Sequence, residues 1–195
     1  MWRKRDRQIP RNQRLGRRNT REVIDVKTLD RKAQMDPKTL RSVLGHYPSG
    51  VTVVTAMDGS VPVGFACQSF HALSLEPPMV VILVGKHSTS WPRIRSAETF
   101  AINVLSEGQE ALCRSFAVSG ADKFASVEWA PSGYDAPILE GSSAWFDCQL
   151  ESEYDGGDHL IVTARILDMG TAEERTPLLF HRGAFRTMAT EDAAS

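Results

Sequence analysis

Short runs of β-branched and apolar residues, which are typical of β-strands, recur along the chain between turn sequences. Residues 51–57 are rich in β-branched side chains, and the turn sequence DGS separates them from a second strand over 61–70. This arrangement predicts a β-hairpin. Residues 79–85 form an unbroken apolar run, which predicts a strand buried on both faces. A fourth strand is predicted over 99–105.

The clearest alternation lies in the second half of the chain. In residues 143–151 it predicts one inward and one outward set of side chains: Ala144, Phe146, Cys148 and Leu150 against Trp145, Asp147, Gln149 and Glu151. After a glycine turn the inward face repeats at Leu160, Val162, Ala164 and Ile166. A last apolar segment, 177–188, is available to close the sheet.

Helix signals are few. The sequence DPKTLRSVLGHY (36–47) begins with a capping Asp and a proline at the first helical position. Residues 88–98 are predicted to hold a loop and a short helix, and 121–137 a loop. Residues 106–120 predict a helix with an inward face of Ala111, Leu112, Ser115 and Phe116. Six or more antiparallel strands with few helices predict a mainly β fold, a small barrel.

Composition narrows the class of protein. The chain has 195 residues, 42% hydrophobic and 24% charged, which suits one globular domain with a sizeable core. No apolar run approaches the roughly 20 residues of a membrane span, so no membrane association is expected. Three separated cysteines lack CxxC spacing and predict neither a zinc site nor a disulfide framework. Together with the lack of a secretory signal, they predict a cytoplasmic protein.

Charge is concentrated at the N-terminus. Residues 1–21 contain nine Arg or Lys and one acidic residue, although the whole chain has a net charge of -1. Residues 1–34 therefore predict a solvated, dispensable extension before a domain over 35–188 and a short tail over 189–195. A nucleic-acid or anionic-membrane arm is the weaker alternative, because the segment contains a single aromatic residue. Met35 would also make a natural start of the chain.

The common catalytic motifs are absent from the sequence. It contains no GxSxG, HExxH or GxGxxG, and its five histidines show no metal-ligand spacing. A chain without a nucleophile motif, a metal cluster or a dinucleotide fingerprint can leave the chemistry to a cofactor.

Two hydroxyl-rich stretches suit such a cofactor. FACQSF (65–70) ends a strand, and KHSTSWP (86–92) combines a basic residue, hydroxyls and a helix start, which are features of a phosphate site. Taken alone, each stretch is better explained without a ligand, the second as an ordinary helix cap at Ser88 or Ser90.

The stretch DGGDH (155–159) is a third candidate. Asp and Gly are typical of hairpin turns, and on that interpretation His159 is a strand-edge residue. The alternative is that the turn presents His159 to a ligand, with Asp158 fixing which ring nitrogen donates. The local pattern alone favours the plain turn.

In their order along the chain, these segments resemble the flavin reductase-like family, which has an FMN-binding split barrel. The resemblance extends from about Asp36 to Phe185 and rests on PSGVTVVTA (48–56), GFACQSFHALSLEPP (64–78), TFAINVLSEGQEALCRSFA (99–117), GGDHLIV (156–162) and PLLFHRGAF (177–185). The sequence departs from the family pattern at Gln68, His71 and Ala184-Phe185. The ordered set of segments favours a ligand-facing His159.

The resemblance implies an antiparallel, Greek-key-like split β-barrel that forms a homodimer with flavin at the dimer interface. It implies hydride transfer from NADH or NADPH to FMN, with FAD as the second candidate, and no metal. Reduced flavin would then pass, if only by diffusion, to a separate monooxygenase that hydroxylates an aromatic or steroid-derived ring.

Three other functions stay open. They are an FMN-retaining oxidoreductase with another acceptor, a flavin-binding protein or electron carrier without turnover, and a nucleic-acid binder. Acceleration of NADH oxidation by free flavin would separate a flavin-reducing enzyme from an FMN-retaining one.

The resemblance also assigns site residues by position. The isoalloxazine edge and ribityl chain would meet Gly64, Phe65, Ala66, Cys67, Gln68 and Ser69. The flavin phosphate would meet Lys86, His87, Ser88, Thr89, Ser90 and Trp91. A loop closing over the flavin would carry Phe116, Ala117, Lys123 and Phe124. The nicotinamide would meet Asp158, His159, His181, Arg182, Gly183 and Ala184. Of these, His159 would be the catalytic residue. For Phe116 and Phe124, core packing is an equally good explanation.

Overall fold

The computed structural model of the chain describes residues 36–120 and 122–188, which form three helices and twelve strands. The helices are α1 Pro37–Leu44, α2 Trp91–Ala97 and α3 Glu110–Ala117. The strands are β1 Ser49–Gly50, β2 Thr52–Asp58, β3 Val61–Cys67, β4 His71–Leu75, β5 Pro78–Gly85, β6 Thr99–Val104, β7 Trp129–Pro131, β8 Pro137–Leu139, β9 Ala144–Gly156, β10 His159–Thr171, β11 Leu179–His181 and β12 Ala184–Arg186. The predictions for residues 1–34, Met35 and 189–195 lie outside the described residues.

Seven strands form the main sheet, in the order β3-β2-β6-β9-β10-β5-β4, and all neighbouring pairs are antiparallel. A three-stranded sheet, β1-β11-β12, and the β7–β8 hairpin complete the fold. The predicted mainly β, antiparallel fold class is confirmed. Within the described part of the chain, no helix is long and apolar enough to span a membrane.

The sheet curls around one apolar cluster. Val63 near one end of the sheet and Ile82 near the other belong to the same cluster as Val162 and the α2 residues Trp91 and Ile94. Because these side chains meet, the inner faces of distant strands must face each other, as in a barrel. A second cluster, under α3, forms around Val53, Leu105, Phe116, Leu139 and Leu178.

Two strand predictions were wrong. Residues 79–85 are not buried on both faces, because β5 lies near the sheet edge and Leu83 points outward with 43% of its surface exposed. Residues 61–70 do not form one strand: β3 ends at Cys67, and the chain turns into the edge strand β4. The predicted loop 121–137 also contains β7 and the first residue of β8.

The predicted inward face of helix 106–120 was partly wrong. The helix is shorter, and its buried residues are Cys113 and Phe116, which are three positions apart and share one face. Ala111 is exposed, because it lies two residues before Cys113 and points away from that face.

Asp147 is buried rather than outward-facing. The β7–β8 hairpin lies across its side of the sheet, where Thr55 and Asn103 donate side-chain hydrogen bonds to the Pro137 carbonyl. Among the described residues, neither Asp147 carboxylate oxygen has a hydrogen-bond partner. Burial raises the pKa of this carboxyl, and the nearby Ser132 hydroxyl opposes that shift to a smaller extent.

Candidate functional site

The predicted flavin segment, Gly64–Ser69, ends β3 and continues into the turn before β4. Phe65 and Cys67 point into the core, where the Cys67 Sγ lies 3.2 Å from the Ser69 hydroxyl and burial raises the pKa of the thiol. Ser69 donates to the Leu83 carbonyl and accepts from the Leu83 N–H, so it joins the turn to β5. Gln68 is exposed. A ligand here would therefore meet mainly backbone groups, Gln68 and Ser69.

Gly64 fits where no larger residue would. A Cβ at this position would lie 2.8 Å from the Phe116 ring and 2.8 Å from the Val54 carbonyl oxygen. Phe116 itself is 1% exposed and packs edge-on against Phe124. The geometry thus supports core packing for Phe116, while Phe124 is half-buried at a cleft wall.

Lys123 connects three parts of this region. Its ammonium donates to the Gly64 carbonyl at 3.0 Å and the Phe116 carbonyl at 3.1 Å, and it lies 3.5 Å from the Ser90 hydroxyl. None of the ion pairs in the described part of the chain includes Lys123. Desolvation lowers the pKa of its amino group. A half-buried cation without a carboxylate partner is suited to an anionic ligand.

The two candidate phosphate-binding serines have different environments. The Ser88 hydroxyl accepts a hydrogen bond of 3.1 Å from the Trp91 N–H, so it caps the start of α2. Ser90 occupies the N-cap position but makes no side-chain cap, and its hydroxyl is left beside Lys123. The helix-cap interpretation is therefore correct for Ser88, and Ser90 is the better phosphate candidate.

Trp91 belongs to the core rather than to an open site. It is 3% exposed, packs against Phe65 and Phe100, and its indole N–H donates a 2.6 Å hydrogen bond to Glu153. Glu153 also pairs with Arg95 at 3.2 Å. Trp91 thus positions the preceding segment, in which His87 and Thr89 are exposed.

A cleft of about 430 Å³ adjoins these residues. It is lined by Val61, Pro62, Val63, Gly64, Thr89, Ser90, Arg93, Gly120, Asp122, Lys123 and Phe124. Its volume lies within the range of small-molecule sites, roughly 300–1,000 Å³. We call it the phosphate cleft, because it contains Lys123 and Ser90. Ala117, the last residue of α3, is exposed and outside its lining.

Asp158 lies in the turn of the β9–β10 hairpin, and His159 is the first residue of β10. The His159 Nδ1 lies 2.7 Å from an Asp158 carboxylate oxygen, and this hydrogen bond lowers the pKa of the Asp158 carboxyl. This contact fixes the orientation of the imidazole ring and occupies Nδ1, so Nε2 is left for another partner. Nε2 lies near Gly85, the residue opposite His159 on β5. The turn has a positive φ at Gly157, and Lys86 is tied to it through a 2.7 Å ion pair with Asp155.

A second cleft, of about 390 Å³, brings this histidine together with the flavin segment. We call it the histidine cleft; its lining residues are Ser69, Leu83, Gly156, Asp158, His159 and Ile161. The segment 64–69 thus has the phosphate cleft at one end and the histidine cleft at the other.

The β11–β12 turn, 181–184, lines neither cleft. Arg182 and Gly183 both have positive φ there, and the Arg182 N–H donates to the Gly45 carbonyl. In the described part of the chain, this turn therefore does not line a cleft together with His159. Arg93 and Glu153 are among the residues that the sequence interpretation missed. Arg93 could have been found from its position one helical turn after Ser90, whereas no sequence signal marks Glu153.

Comparison with known proteins agrees with this geometry. Residues 44–189 match the flavin reductase like domain. The chain is 48% identical over 151 residues to the flavin-dependent monooxygenase, reductase subunit HsaB, of Rhodococcus jostii (strain RHA1), and the match covers 77% of each chain. This chain belongs to the flavin reductase-like family.

Two solved structures have the same fold. One is a homologue of nitrilotriacetate monooxygenase component B, from Mycobacterium thermoresistibile. It superimposes with a TM-score of 0.78 at 40% identity, and the match covers 84% of this chain and 91% of the other. The NADH:FAD oxidoreductase SgcE6 of Streptomyces globisporus, solved with NAD and FAD fragments, superimposes with a TM-score of 0.77 at 38% identity, covering 81% and 96%. The predicted family, split-barrel fold, flavin reductase activity, and flavin and nicotinamide cofactors are confirmed.

Proposed function

We propose that this protein oxidises NADH or NADPH, reduces a flavin bound along residues 64–69, and supplies the reduced flavin to a separate monooxygenase. The observation that carries the proposal is the pair of clefts at the two ends of this segment. A flavin lying along it would have its phosphate near Ser90 and Lys123 and its ring near His159. The Rhodococcus relative is named as the reductase subunit of a flavin-dependent monooxygenase.

The phosphate end has donors that suit the group. The Lys123 ammonium supplies a positive charge, and the Ser90 hydroxyl and Thr89 lie beside it. Charge-assisted hydrogen bonds of this kind are stronger than neutral ones. We assign Lys123 and Ser90 as the principal phosphate contacts, with Ser88 holding the segment in shape.

At the other end, His159 would orient the nicotinamide. A bound flavin accepts hydride at its ring, a reaction that depends on stacking two rings at the right distance. His159 needs no proton transfer for this role: its fixed Nδ1 leaves Nε2 to hydrogen-bond the nicotinamide amide. Asp158 is the positioning residue that sets the ring orientation.

We also propose that the protein works as a homodimer. Leu83 on β5 and Tyr154 on β9 are exposed apolar residues that lie on either side of Ile161 of β10, and Leu73 is exposed on the next strand, β4. Several exposed apolar residues in one region of a sheet are typical of an interface. A second copy could also bring a turn 181–184 to the histidine cleft. Sedimentation that shows a stable, active monomer at micromolar concentration would contradict the dimer.

A cytoplasmic location remains part of the proposal. All three cysteines are free and buried, which suits a reducing compartment. An oxygenase that acts on an aromatic or steroid-derived ring remains the proposed partner.

The proposed function is tested by steady-state oxidation of NADH and NADPH with added FMN, FAD or riboflavin. Turnover that rises and saturates with free flavin is expected, because flavin is then a substrate. A turnover rate that does not change with added flavin but requires another electron acceptor would instead indicate an enzyme that retains its flavin.

A further inference from the structure

The segment 86–91 is attached at its first residue to the hairpin that carries His159. The Lys86 N–H donates a 3.0 Å hydrogen bond to the Asp158 carbonyl, and the Lys86 ammonium pairs with Asp155 at 2.7 Å. Strand β5, which ends one residue before the segment, pairs with β10 as far as His159. Backbone pairing and one ion pair therefore hold the first residue of the segment against the hairpin.

The last residue of the segment, Trp91, lies on a different part of the fold. It is the first residue of α2 and packs edge-on against Phe65 of β3 and Phe100 of β6. Neither of these strands is a neighbour of β10 in the sheet. The backbone hydrogen bonds of the sheet therefore do not connect Trp91 directly to the β9–β10 hairpin.

Glu153 of β9 supplies that connection. Its Oε1 accepts a 2.6 Å hydrogen bond from the Trp91 indole N–H, and its Oε2 lies 3.2 Å from the Arg95 guanidinium. The Glu153 side chain is 19% exposed and Trp91 is 3% exposed, so loss of the carboxylate would leave a buried donor unpaired. Both oxygens contact α2, and Glu153 thus joins this helix to the strand that leads into the hairpin.

The distance between α2 and the hairpin matters for the proposed reaction. In flavin reduction a hydride leaves the nicotinamide ring of NADH or NADPH, which is thereby oxidised, and is added to the flavin ring, which is reduced. Ser90, a proposed phosphate contact, directly precedes Trp91, whereas the nicotinamide is placed at His159. A shift of Trp91 relative to β9 would therefore change the separation of the two rings, and a misplacement of about 1 Å can cost roughly 100-fold in rate.

We propose that Glu153 is a positioning residue for flavin reduction. Through its hydrogen bond to Trp91 it holds the start of α2, and with it the bound flavin, at the distance from the histidine cleft that hydride transfer requires. Glu153 lines neither cleft, so it acts on the rate of hydride transfer rather than on the affinity for either ligand. The inference rests on the proposed function, because the positions of both ligands are taken from it.

Three substitutions of Glu153 test this role. Glu153→Ala removes the acceptor, and Glu153→Asp keeps the charge but shortens the side chain by one methylene, which makes it the milder change for the fold. Glu153→Gln keeps both the length and an oxygen that accepts from Trp91. Glu151→Ala is the matched control, since Glu151 lies on the same strand, forms a similar pair with Arg165 at 3.1 Å and lines neither cleft.

The rate of flavin reduction is measured in single turnovers at saturating NADH without oxygen, together with the Kd for FMN, the KM for NADH and the Tm. Glu153→Ala and Glu153→Asp should slow flavin reduction, the former at least about tenfold, because ring placement governs this step. The Kd for FMN and the KM for NADH should change little in both variants. Glu153→Gln should restore most of the wild-type rate, and Glu151→Ala should match the wild-type protein.

A wild-type rate in Glu153→Ala and Glu153→Asp, with or without a lower Tm, would make Glu153 purely structural and overturn the proposal. An equally slow Glu153→Gln would exclude the hydrogen bond to Trp91 as the route and also overturn it. So would a weaker affinity for FMN with an unchanged rate at saturating ligands, which would assign Glu153 to flavin binding. Wild-type protein that does not reduce flavin with NADH or NADPH would instead overturn the proposed function, and this inference with it.

Discussion

The Lys123 ammonium donates a 3.0 Å hydrogen bond to the Gly64 carbonyl and thereby fastens the loop after α3 to strand β3. The same ammonium lies beside Ser90 at the start of α2. One side chain therefore links strand β3 to the start of α2 and supplies one of the two positive charges in the lining of the phosphate cleft. This dual position makes Lys123 the first residue to test.

Lys123→Met should weaken FMN binding more than tenfold, because a charge-assisted hydrogen bond is worth about 1.5–3 kcal/mol. Riboflavin, which has no phosphate, should bind nearly as it does to the wild-type protein. Titration of both flavins checks the prediction. An equal loss for both would mean that Lys123 only holds the loop.

The pH dependence of FMN binding should follow Lys123. Desolvation lowers the pKa of this amino group below 10.5, so the ligand-free protein loses the charge earlier in an alkaline titration than an exposed lysine would. FMN affinity should consequently fall as the pH rises through that pKa, whereas riboflavin affinity should not. In Lys123→Met the alkaline decline for FMN should be absent. A decline that persists in the variant would assign the titration to another group.

Ser88 and Ser90 should behave differently when each is replaced by Ala. Ser88→Ala removes a helix cap and should lower the free energy of unfolding by about 0.5–2 kcal/mol. Ser90→Ala removes no cap and should weaken FMN but not riboflavin. Urea unfolding and flavin titration of the two variants serve as controls for each other. Reversed results would show that Ser88 is the phosphate contact.

Asp147→Asn should stabilise the protein near pH 8, by a free energy on the order of 1 kcal/mol, because an ionised carboxylate costs more to bury than a neutral amide. Burial raises the folded-state pKa above the unfolded one. Ionisation therefore opposes folding at its full cost above the folded-state pKa; this cost shrinks as the pH falls below that pKa and is gone below the unfolded-state pKa. The gain in Tm should shrink at acidic pH.

Thermal unfolding at several pH values tests this, with Glu151→Gln as the control. Glu151 lies on the same strand but is exposed. A gain in Tm that does not vary with pH, or a loss at every pH, would contradict an ionisable buried Asp147.

The long strands β9 and β10 were predictable, because apolar and polar residues alternate in much of their sequence as side chains alternate between the two faces of a sheet. Val162 and Ala164 of β10 are buried as the pattern required. The burial of Asp147 was not predictable, because its cover comes from a distant hairpin. The Thr55–Pro137 hydrogen bond that anchors this hairpin joins residues 82 positions apart. Local alternation carries no information about such long-range contacts.

The site was predictable as a set of segments rather than as a set of roles. The order of segments such as 64–78, 99–117 and 156–162 along the chain identified the family. Only geometry could show that Ser88 is a helix cap and Trp91 a core residue, because both roles depend on which way a side chain points.

His159 is the residue through which the histidine cleft would bind the nicotinamide. Its loss removes one contact of roughly 1–3 kcal/mol, which corresponds to about a 5–150-fold decrease in kcat/KM for NADH. The side chain is half exposed, so stability should change little. His46→Ala is the control, since His46 is exposed and lines neither cleft.

The most direct test is an NADH titration of flavin reduction by His159→Ala, with FMN affinity and Tm measured on the same samples. We expect a raised KM for NADH, slower flavin reduction, and unchanged FMN affinity and Tm, while His46→Ala matches the wild-type protein. Wild-type NADH kinetics in His159→Ala, with or without a loss of stability, would contradict a nicotinamide-binding role and leave His159 a strand-edge residue.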